Sequence, residues 1–212
     1  MKLYSYFRSS AAYRVRIALN LKGIPYTVEA VDLLKAEQQT DAYRSRNPQG
    51  FVPALELDGG TIINQSTAIL EWLEEAFPEQ ALLPASPLAR AQVRSLCQHI
   101  ACDIHPLNNL SVMNYLKTDM GVARDLARQW YSHWIQRGFF NIEATLRAGA
   151  GSFCHGERPT LAECYLIPQV FNARRFKVDM TPFPLITAID HKCSEIEAFQ
   201  FAHPHRQPDF KA

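Results

Sequence analysis

The sequence predicts an α/β domain over residues 1–80, a linker at 81–87 and an all-α domain over residues 88–212. Three observations predict it. In the first part of the chain, short apolar and aromatic runs alternate with segments of helical spacing. Pro78, Pro84 and Pro87 then crowd together, as they do in linkers. Beyond them, nearly all apolar residues recur at helical intervals.

The elements follow in order. Leu3 to Phe7 is apolar and aromatic and reads as a strand. Ala11 to Lys22 sets Val15, Ala18 and Leu19 at helical spacing, and Lys22-Gly23 is a stop signal. Tyr26 to Leu33 is rich in strand formers. Ala36 to Arg46 is polar with a helical pattern and ends before Asn47-Pro48. Val52 to Leu57, Asp58 to Gly60 and Thr61 to Ile63 read as strand, tight turn and strand. Ser66 to Phe77 is an amphipathic helix with Ser66 as its expected cap. In the second domain, helices are expected over Ala89–Ile104, Asn109–Leu116, Val122–Leu146, Leu161–Phe171 and Pro184–Phe199. Thr160 and Glu163 have capping-box spacing. The tail "AHPHRQPDFKA" reads as irregular. With two domains, the cleft between them is the default ligand site.

Composition narrows the classes. Of 212 residues, 47% are apolar and 20% charged, with a net charge of +1, the balance of an ordinary globular protein. No block of Lys and Arg suggests a nucleic-acid partner. No apolar run approaches the ~20 residues that span a bilayer, and the opening "MKLYSY" lacks the core of a signal peptide. Cys97, Cys102, Cys154, Cys164 and Cys193 are odd in number and unevenly spaced, which reads as free thiols in a reducing cytoplasm.

Three short stretches carry chemistry. In "FRSSAAYRVRIALNLKG", Arg8, Ser9 and Ser10 precede an apolar helix. A helix start presents unpaired N–H groups and partial positive charge. Lowering a thiol pKa by one unit takes about 1.4 kcal/mol. A helix end contributes roughly 0.3–2 kcal/mol and a hydrogen bond to a charged acceptor roughly 1.5–3 kcal/mol, so a thiol held here would fall by about two units. Ser9 has two readings, a plain N-cap or an anion site. Val52-Pro53 opens a strand without a ladder donor; it reads as a trans edge proline or as a cis bond that turns the Val52 backbone toward a ligand. Gln65-Ser66 at a helix start reads as a cap or as a carboxylate site.

Together the three stretches resemble the glutathione site of the soluble glutathione transferases, whose architecture is a thioredoxin-like N-terminal domain followed by a helical one. "YSYFRSSAAYRVRIALNLKGIPY", "NPQGFVPALELDGGTIINQSTAILEWLEE", "PLNNLSVM", "TLAECYLIPQVFNARRFKVDMTPFPLI" and "FAHPHRQPD" resemble the zeta class, the maleylacetoacetate isomerases, over nearly the whole chain. The resemblance implies a homodimeric cytoplasmic enzyme with glutathione as cofactor. Its substrate would be a small maleyl diketo acid from aromatic breakdown. Ser9 would bond the glutathione sulfur, with Ser10 and Ala11 at the helix mouth. Gln38 would reach the glycyl end, the Val52 backbone the cysteinyl part beside a cis Pro53, and Gln65 and Ser66 the γ-glutamyl group. His105, Asn109 and Ser111 would approach glutathione from the helical domain, and Arg8 and Arg175 would bind substrate carboxylates. The thiolate would add to the cis double bond, the resulting single bond would rotate, and loss of glutathione would leave the trans product.

The chain departs from the family pattern at Ala11, where the class carries cysteine, so a mechanism needing that thiol is excluded. His105 stands where many members have glutamine. "HPLNN" and the pair Arg174-Arg175 resemble the bacterial maleylpyruvate isomerases, so the length of the substrate's keto chain stays open. Two other classes remain: a conjugating transferase that consumes glutathione, and a non-catalytic binding module on the same fold. Cys97, His99, Cys102 and His105 share one expected helix but lack a strong zinc spacing, so no metal site is expected. Trp130, Tyr131, Trp134 and Phe139 read as helix packing, and Asp103 with His105 as no acid–base pair.

Overall fold

The computed structural model describes residues 1–211. They fall into two units: Met1–Leu82 joined by the segment from Ser194 onward, and Leu83–Cys193. No helix among the described residues is long and apolar enough to cross a membrane.

The first unit holds a four-stranded sheet of order β2-β1-β3-β4, with β1 at Lys2–Ser5, β2 at Thr27–Ala30, β3 at Ala54–Glu56 and β4 at Ile62–Asn64. Strand β1 runs parallel to β2, pairing Leu3 with Val28, and antiparallel to β3, pairing Leu3 with Leu55. The parallel pair needs a crossover, which helix α1 (Ser10–Leu21) supplies. Gly23 ends α1 with φ 65, while its N–H donates to Asn20 and that of Ile24 to Leu19, the left-handed stop that glycine adopts readily. A single-turn 3₁₀ piece, Leu33–Lys35, ends at Ala36, which is left-handed with φ 56. The helix expected over Ala36–Arg46 is divided into a second 3₁₀ turn, Glu37–Gln39, and α2 (Asp41–Arg44), with the break at Thr40, whose extended backbone caps α2. Helix α3 (Ser66–Ala76) follows the β3–β4 hairpin.

Every residue of α1 from Ala12 to Leu19 is buried, including Arg14 and Arg16. A helix covered on all sides needs neighbours on all sides. Here they include α3 and helix α10 (Glu197–Ala202). The expectation that everything after residue 87 belongs to the helical domain is therefore corrected. The Pro184–Phe199 helix stops at Ser194, and the chain returns to the first unit as α10. Asn20 donates to the Ala198 carbonyl at 2.9 Å and Arg16 to that of Ala202 at 3.0 Å. The tail beyond is not irregular either: Pro204–Arg206 forms a 3₁₀ turn.

In the second unit, α4 (Pro87–Gln98) runs into a π-helical stretch, His99–Ile104, and then α5 (His105–Asn108) and α6 (Leu110–Asn114). A further π stretch, Tyr115–Asp119, precedes α7 (Arg124–Gly149). A Cβ at Gly138 of α7 would lie 2.1 Å from Cδ1 of the buried Ile104, so glycine lets the π stretch approach closely. Helix α8 (Leu161–Arg175) is the buried centre of the unit. Glu163, fully buried, completes the capping box by accepting the Thr160 N–H at 2.7 Å, and it also accepts the Cys154 N–H at 2.6 Å. The Glu143 carboxylate accepts the Leu185 and Ile186 N–H groups at the start of α9 (Pro184–Ser194). Trp130 and Trp134 stack edge-on at 5.6 Å, as helix packing predicts.

Candidate active site

The loop after β1 and the start of α1 form the first wall. Ser9 is the N-cap, with extended backbone; its Oγ accepts the Ala12 N–H at 3.2 Å and its own N–H donates to the Tyr6 carbonyl at 2.9 Å. Capping uses one lone pair of the hydroxyl and leaves its hydrogen to donate, so the two sequence readings of Ser9 are compatible. The first turn of α1 contains no acidic residue to neutralise the helix start. Ser10 is buried and Ala11 half-buried. Arg8 lies 4.9 Å from the Phe7 ring centroid and donates to the Tyr6 hydroxyl at 2.9 Å. Among the described residues it makes no ion pair with a carboxylate.

The hairpin and α3 supply the second wall. The Val52–Pro53 bond is cis. The N-cap of α3 is Gln65, not Ser66 as the sequence suggested. Gln65 sits at φ 70, ψ 119 without a side-chain cap bond, and its Nε2 donates to Gln49 Oε1 at 2.6 Å. Ser66 is the first helical residue, buried, and its Oγ accepts from the Arg14 guanidinium at 3.3 Å. Gln38 lies on the second 3₁₀ turn; its Oε1 and Asn64 Oδ1 are buried with no hydrogen-bond partner. Buried polar atoms of this kind call for a ligand or water.

The remaining expected residues lie in the helical unit. His105 opens α5 and is half-buried. Asn109 caps α6, accepting the Val112 N–H at 2.9 Å and the Ser111 hydroxyl at 2.7 Å, so these two bond each other. Arg175 ends α8, 4.5 Å from the Phe176 ring centroid and beside Tyr131. Burial pushes the Tyr131 hydroxyl up to about 12, and the nearby Arg175 charge opposes that rise. The neighbouring Arg174 pairs with Asp190 at 2.7 Å. His99 and not His105 pairs with Asp103, at 3.0 Å.

Asp209, which accepts the Phe7 N–H at 2.8 Å, has no signal in the sequence, and neither do the partners of Arg14 and Arg16: Ser66 Oγ and the Phe7 carbonyl. The available signal was two arginines inside the apolar run "YRVRIAL". Charges in a buried helix must reach polar partners.

Residues 8–76 match the model of the glutathione S-transferase N-terminal domain. A maleylpyruvate isomerase of Ralstonia sp is 49% identical, with 99% of each chain covered. A structure described as holo maleyl pyruvate isomerase, a bacterial glutathione S-transferase in the zeta class, superposes with TM-score 0.97 at 48% identity over all of both chains. This chain belongs to the zeta-class glutathione transferases. A further neighbour, a maleylacetoacetate isomerase from Anaeromyxobacter dehalogenans with GSH bound in its active site, matches with TM-score 0.89 and 47% identity, covering 98% of this chain and 96% of that one.

Within the zeta-class frame, Ala11 removes one source of protein thiolate, and the buried cysteines do not replace it. Burial first, and then the Glu163 charge, hold the Cys154 and Cys193 thiols well above their ordinary value.

Proposed function

We propose that this zeta-class chain is a glutathione-dependent cis–trans isomerase of maleyl diketo acids, converting maleylacetoacetate to fumarylacetoacetate. The observation that carries the reading is Ser9, a hydroxyl at a helix start with no acidic residue in its first turn, beside Arg8, which has no carboxylate partner among the described residues. The donor set suits a tripeptide. Ser9 would hold the sulfur, with Ser10 and Ala11 around it. The Val52 backbone beside Pro53 would hold the central peptide. Gln65 and Ser66, backed by Arg14, would hold the γ-glutamyl end. Gln38, whose buried Oε1 has no protein partner, would meet the glycyl end. His105, Asn109 and Ser111 are further candidate contacts.

When bound, glutathione supplies a thiolate that adds reversibly to an activated cis double bond and so frees it to rotate. The protein's part is positioning and electrostatics. Ser9 donates to the sulfur and the α1 start favours its ionised form. Arg8 and Arg175 would grip the substrate carboxylates and stabilise the charge that develops on the keto group. No protein thiol is required, which fits Ala11.

A second reading, maleylpyruvate as substrate, is favoured by the 49% identity to a maleylpyruvate isomerase. We place the enzyme in the cytoplasm, in aromatic breakdown, as a homodimer; sedimentation at working concentration tests the last. Rates on both substrates, with glutathione followed in the same cuvette, test the function. Turnover should require glutathione and return it. Stoichiometric consumption would point to conjugation, and full turnover without glutathione would remove the proposal.

A further inference from the structure

The loop that carries Arg8 and Ser9 belongs to no strand or helix, so side chains must hold it in place. Those side chains come largely from the far end of the chain. Both backbone polar groups of Phe7 are held. Its N–H donates to Asp209 Oδ2 at 2.8 Å, and its carbonyl accepts from Arg16 at 3.0 Å. Arg16 has no exposure; it also donates to Ser5 Oγ at 3.0 Å and to the Ala202 carbonyl at 3.0 Å. Ser9 hangs from the same turn through its N–H to Tyr6.

The ring contacts run the same way. The Phe210 ring meets Phe7 edge-on at 5.6 Å and His205 at 4.7 Å, while the opening guanidinium, Arg8, stands 4.9 Å from the Phe7 ring. The segment is itself tied down. Gln207 donates to the Phe201 carbonyl at 2.8 Å and to that of His203 at 3.1 Å; Phe210 donates to the Gln207 carbonyl at 3.0 Å; Lys211 pairs with Asp32 at 3.2 Å. Asp209 Oδ1 is buried and has no hydrogen-bond partner among the described residues.

We propose that the C-terminal segment 203–211 is a strap that positions the reactive loop, with Asp209 orienting Ser9 and Phe210 steering Arg8. The inference rests on the functional reading of Ser9 and Arg8 given above. Asp209 and Phe210 are positioning residues, acting through the Phe7 N–H and the Phe7 ring. A displacement of about 1 Å at a reacting group costs on the order of a hundredfold in rate, so a strap of this kind acts on catalysis more than on folding.

The test compares the full chain with Asp209→Ala, Asp209→Asn and Phe210→Ala, after far-ultraviolet circular dichroism has checked each fold. Turnover is followed on a maleyl substrate, and the bound glutathione thiol is titrated by its thiolate absorbance. Asp209→Ala should lower kcat about ten- to a hundredfold and raise the bound-thiol pKa by about one unit. Asp209→Asn keeps an acceptor for the Phe7 N–H and should stay within about threefold of the parent. Phe210→Ala should raise the KM for the maleyl acid about tenfold, one charge-assisted contact's worth, while glutathione affinity stays put. If Asp209→Ala does not fold, the other two variants carry the test. An active parent with Asp209→Ala unchanged in kcat and thiol titration, Asp209→Asn as impaired as Asp209→Ala, or Phe210→Ala weakening glutathione alone would each remove the strap. A parent that neither binds glutathione nor turns over would remove the functional reading and the strap with it.

Discussion

Lys22→Met tests how the two helix starts of the site are held in register from their opposite ends. Lys22 follows the last turn of α1 and Glu74 lies near the end of α3. Their charges meet at 2.6 Å with side-chain exposures of 0% and 2%. The ammonium also donates to the Phe77 and Gln80 carbonyls, both at 2.9 Å, and the carboxylate accepts the Leu82 N–H at 3.0 Å. Every hydrogen on Lys22 Nζ is therefore used. Removing the cation strands a buried carboxylate and two carbonyls, for which about 3–5 kcal/mol is the expected loss. With a urea m-value of roughly 3 kcal/mol/M, the midpoint should fall by about 1–1.7 M. The double variant Lys22→Met/Glu74→Gln removes both charges while keeping an acceptor for Leu82. It should recover about 2 kcal/mol relative to the sum of the singles, as contacting partners do. A loss under about 1 kcal/mol for Lys22→Met, or strict additivity in the double, would refute the reasoning.

Two further predictions follow from named contacts. Gly138→Ala sets a methyl against Ile104, which is fully buried, and should destabilise by about 1–3 kcal/mol in thermal melts, while Gly149→Ala, with open space around it, should not. His203 is held below its ordinary imidazole value of 6.5 by burial first and then by the charges of His205, Arg16 and Arg206. The folded protein keeps the ring neutral where the unfolded chain would protonate, so this stability is present above about pH 6.5 and drains as pH falls toward the lower folded value. His203→Gln should flatten the acid side of the melting curve; an unchanged slope would clear His203 of the effect.

The parts of the fold carried by local rules were legible in the sequence. The β1–α1–β2 unit, the hairpin and the Thr160–Glu163 capping box follow from alternation, helical spacing and cap chemistry, and they stand where they were expected. What stayed hidden depends on distant partners. Helical spacing extends through Ile104, yet the chain there is π-helical beside Gly138, a neighbour far away in sequence. Ser66 has the chemistry of a cap, but Gln65 takes that place because its backbone turns to positive φ, which no local pattern announces. The tail looked irregular because its partners, Phe7, Arg16 and Asn20, lie near the other end of the chain. Near the candidate site, the α1 start at Ser9 was readable as a helix start, since its cap chemistry is local. Arg14 and Asp209 were not, since their roles exist only once α3 and the tail have folded against the loop.

The ionisation of bound glutathione tests the central claim most directly. Titrating its thiolate absorbance on the wild-type chain and on Ser9→Ala should give a thiol about two units below the ordinary value near 8.5, with at least half of that depression lost in the variant. Turnover at saturating glutathione should fall at least tenfold in step, as about 1.4 kcal/mol of lost stabilisation requires. A bound thiol that titrates at its solution value in the wild type, or one equally depressed without the Ser9 hydroxyl, would contradict the account.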